Sequence, residues 1–275
     1  MAPRMLTPDT AILPAYFPVP ILGLVPVNAF VIRAAEPVLI DTGLFGAQQE
    51  FMRGLRSLID PAALRWIWLT HVDPDHIGSL ERLLVEAPQA RIVTTFLGMG
   101  KYSLRGQLPP DRVFLLNPGQ TLDVGDRKLF ALRPPTFDAP ETTALFDLKT
   151  RTLFSADSFG AVLREPAEDA NGMNPTALRD GGVLWATVDA PWLHMTDATA
   201  LHRTLAGVHS LHPDLVLSSH LPPARGMLDK LMANLTAART ATPWVGPDQA
   251  AMMAAMATAP QPGARRERIS ATSVA

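Results

Sequence analysis

The chain has 275 residues, 47% hydrophobic and 18% charged, which is enough apolar content to build a core and argues against disorder. A formal net charge of −2 predicts no general attraction to nucleic acid or to an anionic membrane. With no cysteine, disulfides, iron–sulfur clusters, thiol nucleophiles and Cys-ligated zinc are excluded, so any metal must be held by His, Asp and Glu. The apolar stretch Ala11–Val27 is interrupted by Pro14, Pro18, Pro20 and Pro26, which break any helix there. Neither a signal peptide nor a membrane span is expected, and a soluble cytoplasmic protein is the default.

Two strand-like runs follow, Asn28–Arg33 and Pro37–Ile40, with a turn at Ala34–Glu36; the second ends in Asp41-Thr42-Gly43. Apolar residues at Phe51, Leu55 and Leu58 predict a helix over about Ala47–Ile59. The apolar strand Arg65–Thr70 runs directly into His71, and Ser79 with Leu80, Leu83 and Leu84 signals the next helix. Further strands are expected at Arg91–Thr95 and Arg112–Leu116, then a hairpin of Thr121–Val124 and Lys128–Leu132 around Gly125-Asp126. Thr143–Leu148 and Arg151–Ser155 form a pair leading to Asp157. Glu165–Pro191 reads as loop plus a short helix. Ala198–Leu211 is helical, Asp214–Ser218 is a short strand delivering His220, and Met227–Arg239 and Asp248–Met256 are helices. One domain over 1–258 is expected, with a frayed tail over 259–275. This order suggests a layered α/β sandwich more than a doubly wound sheet.

The segment His71-Val72-Asp73-Pro74-Asp75-His76 places four candidate ligands within six residues, after a strand and before a helix. A strand end aims such side chains at one point, whereas a helix would spread them around its circumference. Two imidazoles and two carboxylates this close are costly unless a cation neutralises the acids. Asp157 and His220 each have a bland reading alone, as a turn cap and a loop histidine. Three strand ends that each finish in a ligand-type residue form a much stronger signal.

Thr70-His71-x-Asp73-x-Asp75-His76-x-Gly78 resembles the His-x-His-x-Asp-His motif of the metallo-β-lactamase superfamily, and Asp41-Thr42-Gly43 resembles its early Asp-Thr-Gly. The resemblance implies a four-layer αββα sandwich, with Asp41 supporting the site structurally. The acid at position 73 and the segment Ser155-Ala156-Asp157-Ser158-Phe159-Gly160 are similar to flavodiiron proteins and related oxygen-binding di-iron domains. Asp138 stands where that family carries a His; it lies 62 positions after His76 and 19 before Asp157, similar to the family's intervals. Carried over, the resemblance implies one metal at His71, Asp73 and Asp138, a second at Asp75, His76 and His220, and Asp157 bridging them.

Four carboxylates and three imidazoles suit iron most, with manganese or zinc as alternatives. Trp185, Trp192 and His194 are candidate walls of a substrate pocket. The favoured function is a di-iron protein that reacts with dioxygen or nitric oxide, or oxidises a small substrate. An external electron donor is expected, because no flavodoxin-like or rubredoxin-like segment is evident. One alternative is a hydrolase of an ester, lactone or phosphoester, using a metal-bound hydroxide oriented by the catalytic residue Asp75. Another is a catalytically degenerate metal-binding sensor. A homo-oligomer is left open.

Overall fold

The computed structural model describes residues 1–258; the expected tail over 259–275 lies outside the described residues. Met1–Pro243 form one compact unit. Its first sheet has seven strands whose spatial order follows the chain: β1 (Arg4–Met5), β2 (Thr10–Val19), β3 (Gly23–Ile32), β4 (Val38–Ile40), β5 (Trp66–Trp68), β6 (Arg91–Thr94) and β7 (Val113–Leu115). Three helices are threaded between the later strands: α1 (Gln48–Leu58), α2 (Leu80–Glu86) and α3 (Phe96–Tyr102). A six-stranded sheet follows, with β8 (Thr121–Asp123), β9 (Lys128–Leu132), β10 (Ala144–Asp147), β11 (Thr152–Phe154), β12 (Leu215–Leu217) and β13 (Ala224–Arg225) again adjacent in order. Helices α4 (Pro175–Asp189) and α5 (Ala198–His209) precede β12, and α6 (Leu228–Ala238) follows β13. Helix α7 (Gln249–Thr258) belongs to a second unit that begins at Trp244.

The two-residue period of a strand explains the layers. In β4, Val38 and Ile40 enter one buried cluster with Trp66, Trp68, Leu129, Leu145, Phe154 and Leu217, which fills the space between the sheets. Leu39, between them, joins Ile67, Ile92, Phe51, Met52, Leu55, Leu80 and Leu83 in a second cluster under α1 and α2. On the other sheet, Phe146, Leu153 and Val216 meet Leu178, Ala186, Leu201, Leu205, Leu231 and Leu235 from α4, α5 and α6. Each fully buried aliphatic or aromatic side chain contributes about 1.5–3 kcal/mol to holding these layers. The order is helix, sheet, sheet, helix: the metallo-β-lactamase sandwich.

Three segments depart from the expectation. Ala11–Val27, where the prolines are expected only to break a helix, is most of a β2–β3 hairpin that the sequence did not announce. The prolines are tolerated because of register. Pro14 pairs with Asn28, Pro26 with Tyr16 and Pro18 with Leu24, so all three occupy the same alternating set of positions. The N–H of Asn28 points instead to the Ser219 carbonyl and that of Leu24 to the Leu163 carbonyl, so these pairs make no ladder hydrogen bond for a proline to lose. Glu165–Pro191 holds the 15-residue helix α4 and not a short one. Its helical signal is diluted by Gly181, where a Cβ would run into the Val162 carbonyl oxygen. Asn174, an N-cap whose side chain accepts from the Thr176 and Ala177 N–H groups, starts it, with Pro175 in the first turn. Helix α3 is the third departure; its side chains Phe96 and Leu97 are exposed, so no apolar face announces it.

Candidate metal centre

Most of the site residues leave the carboxyl ends of four strands, and Asp138 lies between β9 and β10. Asp41 follows β4, His71 to His76 follow β5, Asp157 follows β11 and His220 follows β12. β4 runs parallel to β5, and β11 parallel to β12, so within each pair the chain emerges at the same end. The backbone is bent sharply there: Asp41, Ala156 and Phe159 all take positive φ, at 57°, 52° and 66°. Non-glycine residues adopt that region at a cost, which the surrounding packing has to offset.

These ends bring His71, His76 and His220 around one carboxylate. Asp157 Oδ2 lies 3.2 Å from His71 Nε2, and its Oδ1 lies 3.2 Å from His76 Nε2 and 3.1 Å from His220 Nε2. Asp75 Oδ2 sits 3.5 Å and 3.6 Å from the Nε2 atoms of His76 and His220. Possible ligand atoms gather within 4.8 Å of one another in groups that include His71, His76 and Asp157; Asp75, His76 and His220; and His71, Asp73 and Asp138.

The outer nitrogen of each imidazole is already engaged. His76 Nδ1 lies 2.9 Å from Asp41 Oδ2, and His220 Nδ1 2.7 Å from the Pro26 carbonyl oxygen. Both partners accept, so Nδ1 carries the hydrogen and Nε2 turns its lone pair inward. Asp41 is itself held, accepting from the Thr70 N–H and Thr70 Oγ1 at 2.8 Å each, and Thr70 Oγ1 also lies 3.1 Å from His71 Nδ1. His76 Nε2 and Asp157 Oδ1 are buried without a hydrogen-bond partner among the described residues. Inward-facing, unpartnered donor atoms of N and O type fit a pair of bound metal ions.

Electrostatics point the same way. Burial opposes charge on His76, but Asp75, Asp157 and Asp41 outweigh it and hold the imidazole well above its usual range. Burial also opposes charge on Asp157, and His71, His76 and His220 overcome it, holding the carboxyl well below the usual range. These acids favour positive charge among the imidazoles, and bound cations would supply it.

Trp185 stacks beside His220 with ring centres 4.3 Å apart, and its Nε1 donates to the Asp157 carbonyl at 3.0 Å. Gly160 permits this approach, since a Cβ there would stand 2.5 Å from Trp185 Nε1 and 2.8 Å from His220 Cβ. Trp192 donates to the Phe137 carbonyl at 3.0 Å, bracing the segment that carries Asp138. His194 is exposed, with Nδ1 against the carbonyl of Pro191, and is not brought into any of the ligand groups.

Three further residues escaped the sequence reading. Lys101 of α3 donates to Asp73 Oδ1 at 2.7 Å and lies 2.8 Å from Oε1 of buried Glu141. Asp189, the last residue of α4, faces the cluster, and burial pushes its carboxyl well above the usual range. Nothing in their local patterns marks them; the spacing of Glu141 from Asp138 is the one available hint.

The model of the ODP family beta lactamases matches residues 25–220. An uncharacterized protein of Methanocaldococcus jannaschii is 32% identical over 133 residues, 48% of this chain and 34% of that protein. The anaerobic nitric oxide reductase flavorubredoxin of Salmonella typhi is 32% identical over 134 residues, 48% of this chain and 28% of that protein. The chain thus spans about a third or less of the length of these curated relatives. Among solved structures, the flavodiiron protein from Giardia intestinalis aligns with a TM-score of 0.77 at 16% identity, covering 87% of this chain and 59% of that one. Rubredoxin oxygen:oxidoreductase from Desulfovibrio gigas aligns at 0.74 and 18%, covering 86% and 60%. At such identities the likeness is one of fold. The family model spans most of the chain, and the chain belongs to the ODP family of beta lactamases, with the sandwich fold of flavodiiron cores.

Proposed function

We propose that this chain is the dimetal core of a reductase that uses a pair of iron ions to reduce dioxygen or nitric oxide, with electrons from an external donor. The observation that carries the reading is the sharing of Asp157, whose two carboxylate oxygens face imidazoles from both halves of the sandwich between the triads His71–Asp73–Asp138 and Asp75–His76–His220. Those residues would hold the two ions. Four carboxylates among seven donors favour iron or manganese over metals that prefer softer ligands. Relatives described as a nitric oxide reductase and an oxygen oxidoreductase support the choice of substrate.

When bound, the iron pair supplies the redox equivalents for a diatomic substrate. The chain's own residues prepare the place. Asp41 and the Pro26 carbonyl lock the tautomers of His76 and His220, so no reorientation is needed when metal enters. Trp185 covers one face of His220 and keeps water from that side. Asp75, with its side chain 31% exposed, stands between the buried imidazoles and solvent. In the metal-free chain burial alone would raise its carboxyl, but His76 and His220 hold it well below the usual range, so it is an anion ready to meet a cation. No helix among the described residues is long and apolar enough to cross a membrane; we place the protein in the cytoplasm, where a diffusible donor can reach it.

Anaerobic loading with iron, followed by electrode measurement of oxygen and nitric oxide consumption in the presence of a low-potential donor, tests the proposal. Consumption that depends on iron and disappears in Asp157→Ala is the expected result. Turnover of aryl esters or phosphodiesters by the zinc form, with neither gas consumed by the iron form, would replace it with hydrolysis.

A further inference from the structure

A fourth group of ligand atoms converges on the same place. Carboxylate oxygens of Asp138, Asp157 and Asp189 lie within 4.8 Å of one another. Asp157 is 4% exposed, and neither its Oδ1 nor the buried Oδ2 of Asp189 has a hydrogen-bond partner among the described residues. Three acids do not converge at such spacing without something positive or a proton between them. The imidazoles of His71, His76 and His220 face Asp157, and the nearby lysine and arginine are committed elsewhere. Lys101 is held by Asp73 and Glu141, and Arg133 donates to the carbonyls of Pro140 and Thr142 at 2.7 Å each.

We propose that Asp189 is a metal ligand, and that with Asp73, Asp138 and His71 it makes one metal position carboxylate-rich, while Asp75, His76 and His220 make the other imidazole-rich. Asp157 is shared. The inference rests on the metal-pair reading above and deepens it, because it makes the two positions chemically unequal. Oxygen-rich sets suit hard ions such as Mn(II), and imidazoles suit iron and zinc. The two positions therefore fill with different affinities and different preferences. Helix α4 also becomes part of the metal site through its last residue, which ties Trp185 and Asp189, one helical turn apart, to the same centre.

The test is a titration of metal-free protein with Mn(II), with free ion counted by electron paramagnetic resonance. Wild type is expected to bind two Mn(II) per chain with separable affinities. Asp189→Asn, which has nearly the same shape, is expected to lose one ion or to weaken it at least tenfold, and to leave the other within threefold. Two ions bound unchanged by Asp189→Asn overturn the assignment, and so does loss of both ions from a variant whose circular dichroism is native. A second variant works by gain of signal. The chain has no cysteine, so Asp189→Cys places a single thiol at the position, and Co(II) is expected to produce a near-ultraviolet thiolate band at one equivalent. Absence of that band overturns the proposal. If wild type itself binds no metal ion, the metal-pair reading fails with it, an outcome distinct from two ions that ignore position 189.

Discussion

Two buried charge clusters in this chain are built to opposite ends. Around Arg127, whose side chain is 2% exposed, Asp9, Asp126 and Asp147 lie at 2.7, 2.9 and 3.0 Å, and Lys149 joins Asp126 at 2.6 Å. The fully buried Asp147 also accepts from the Lys149 N–H and Thr150 Oγ1. That network supplies its own cations and hydrogen bonds. At the candidate metal centre, Asp75, Asp138, Asp157 and Asp189 face imidazoles and one another, and buried Asp157 Oδ1, Asp189 Oδ2 and His76 Nε2 have no hydrogen-bond partner among the described residues. A cluster that closes on itself is a structural element, whereas one left short of cations is a binding site.

The comparison is broken most severely by removing the resident cation. Arg127→Met strands the Asp147 charge, and breaking a buried pair from one side costs about 3–5 kcal/mol. Urea unfolding should show that loss while metal bound per folded chain stays at the wild-type value. A loss under about 1 kcal/mol would reduce the network to ordinary surface pairing. At the other cluster, Asp41→Asn keeps an acceptor for Thr70 but loses the anionic partner of His76 Nδ1. Metal affinity should fall about 10–100-fold, read by competition with a chelator and counted per folded chain.

Acid gives the smallest effect. Burial raises the Asp9 carboxyl, but hydrogen bonds from Arg127 and Thr7 hold it below its ordinary value of 3.8; Arg127 and Lys149 do the same for Asp126. A carboxyl with a depressed folded pKa adds stability that is present above the unfolded value and is lost as pH falls through the folded one. The urea midpoint of wild type should therefore drop below about pH 4, and Arg127→Met should flatten that part of the decline. Both groups are partly exposed, so solvent screens the effect and the change should be modest.

How much could be read from the chain itself differs from element to element. The run Val38-Leu39-Ile40 alternates between two cores, and that period is visible in any strand of this kind. His71, Asp73, Asp75 and His76 are legible because one strand end carries them all within six residues. Helix α4 was not, because Gly181 sacrifices helical signal to let the Val162 backbone come close. The β2 strand was hidden by prolines whose harmlessness depends on which partner faces them, a matter of register. His194 looked like its neighbours in sequence and ended on the surface.

By itself the sequence determined the layered sandwich and a nucleus of ligand-type residues, because strand period and the contiguity of the His71–His76 segment are local properties. Tertiary structure alone decided that Asp189 and Lys101 face that nucleus, that Trp185 lies against His220, and which nitrogen of each histidine points inward. Those facts depend on where a distant helix end or a carbonyl such as that of Pro26 comes to rest, and separation along the chain carries no record of it.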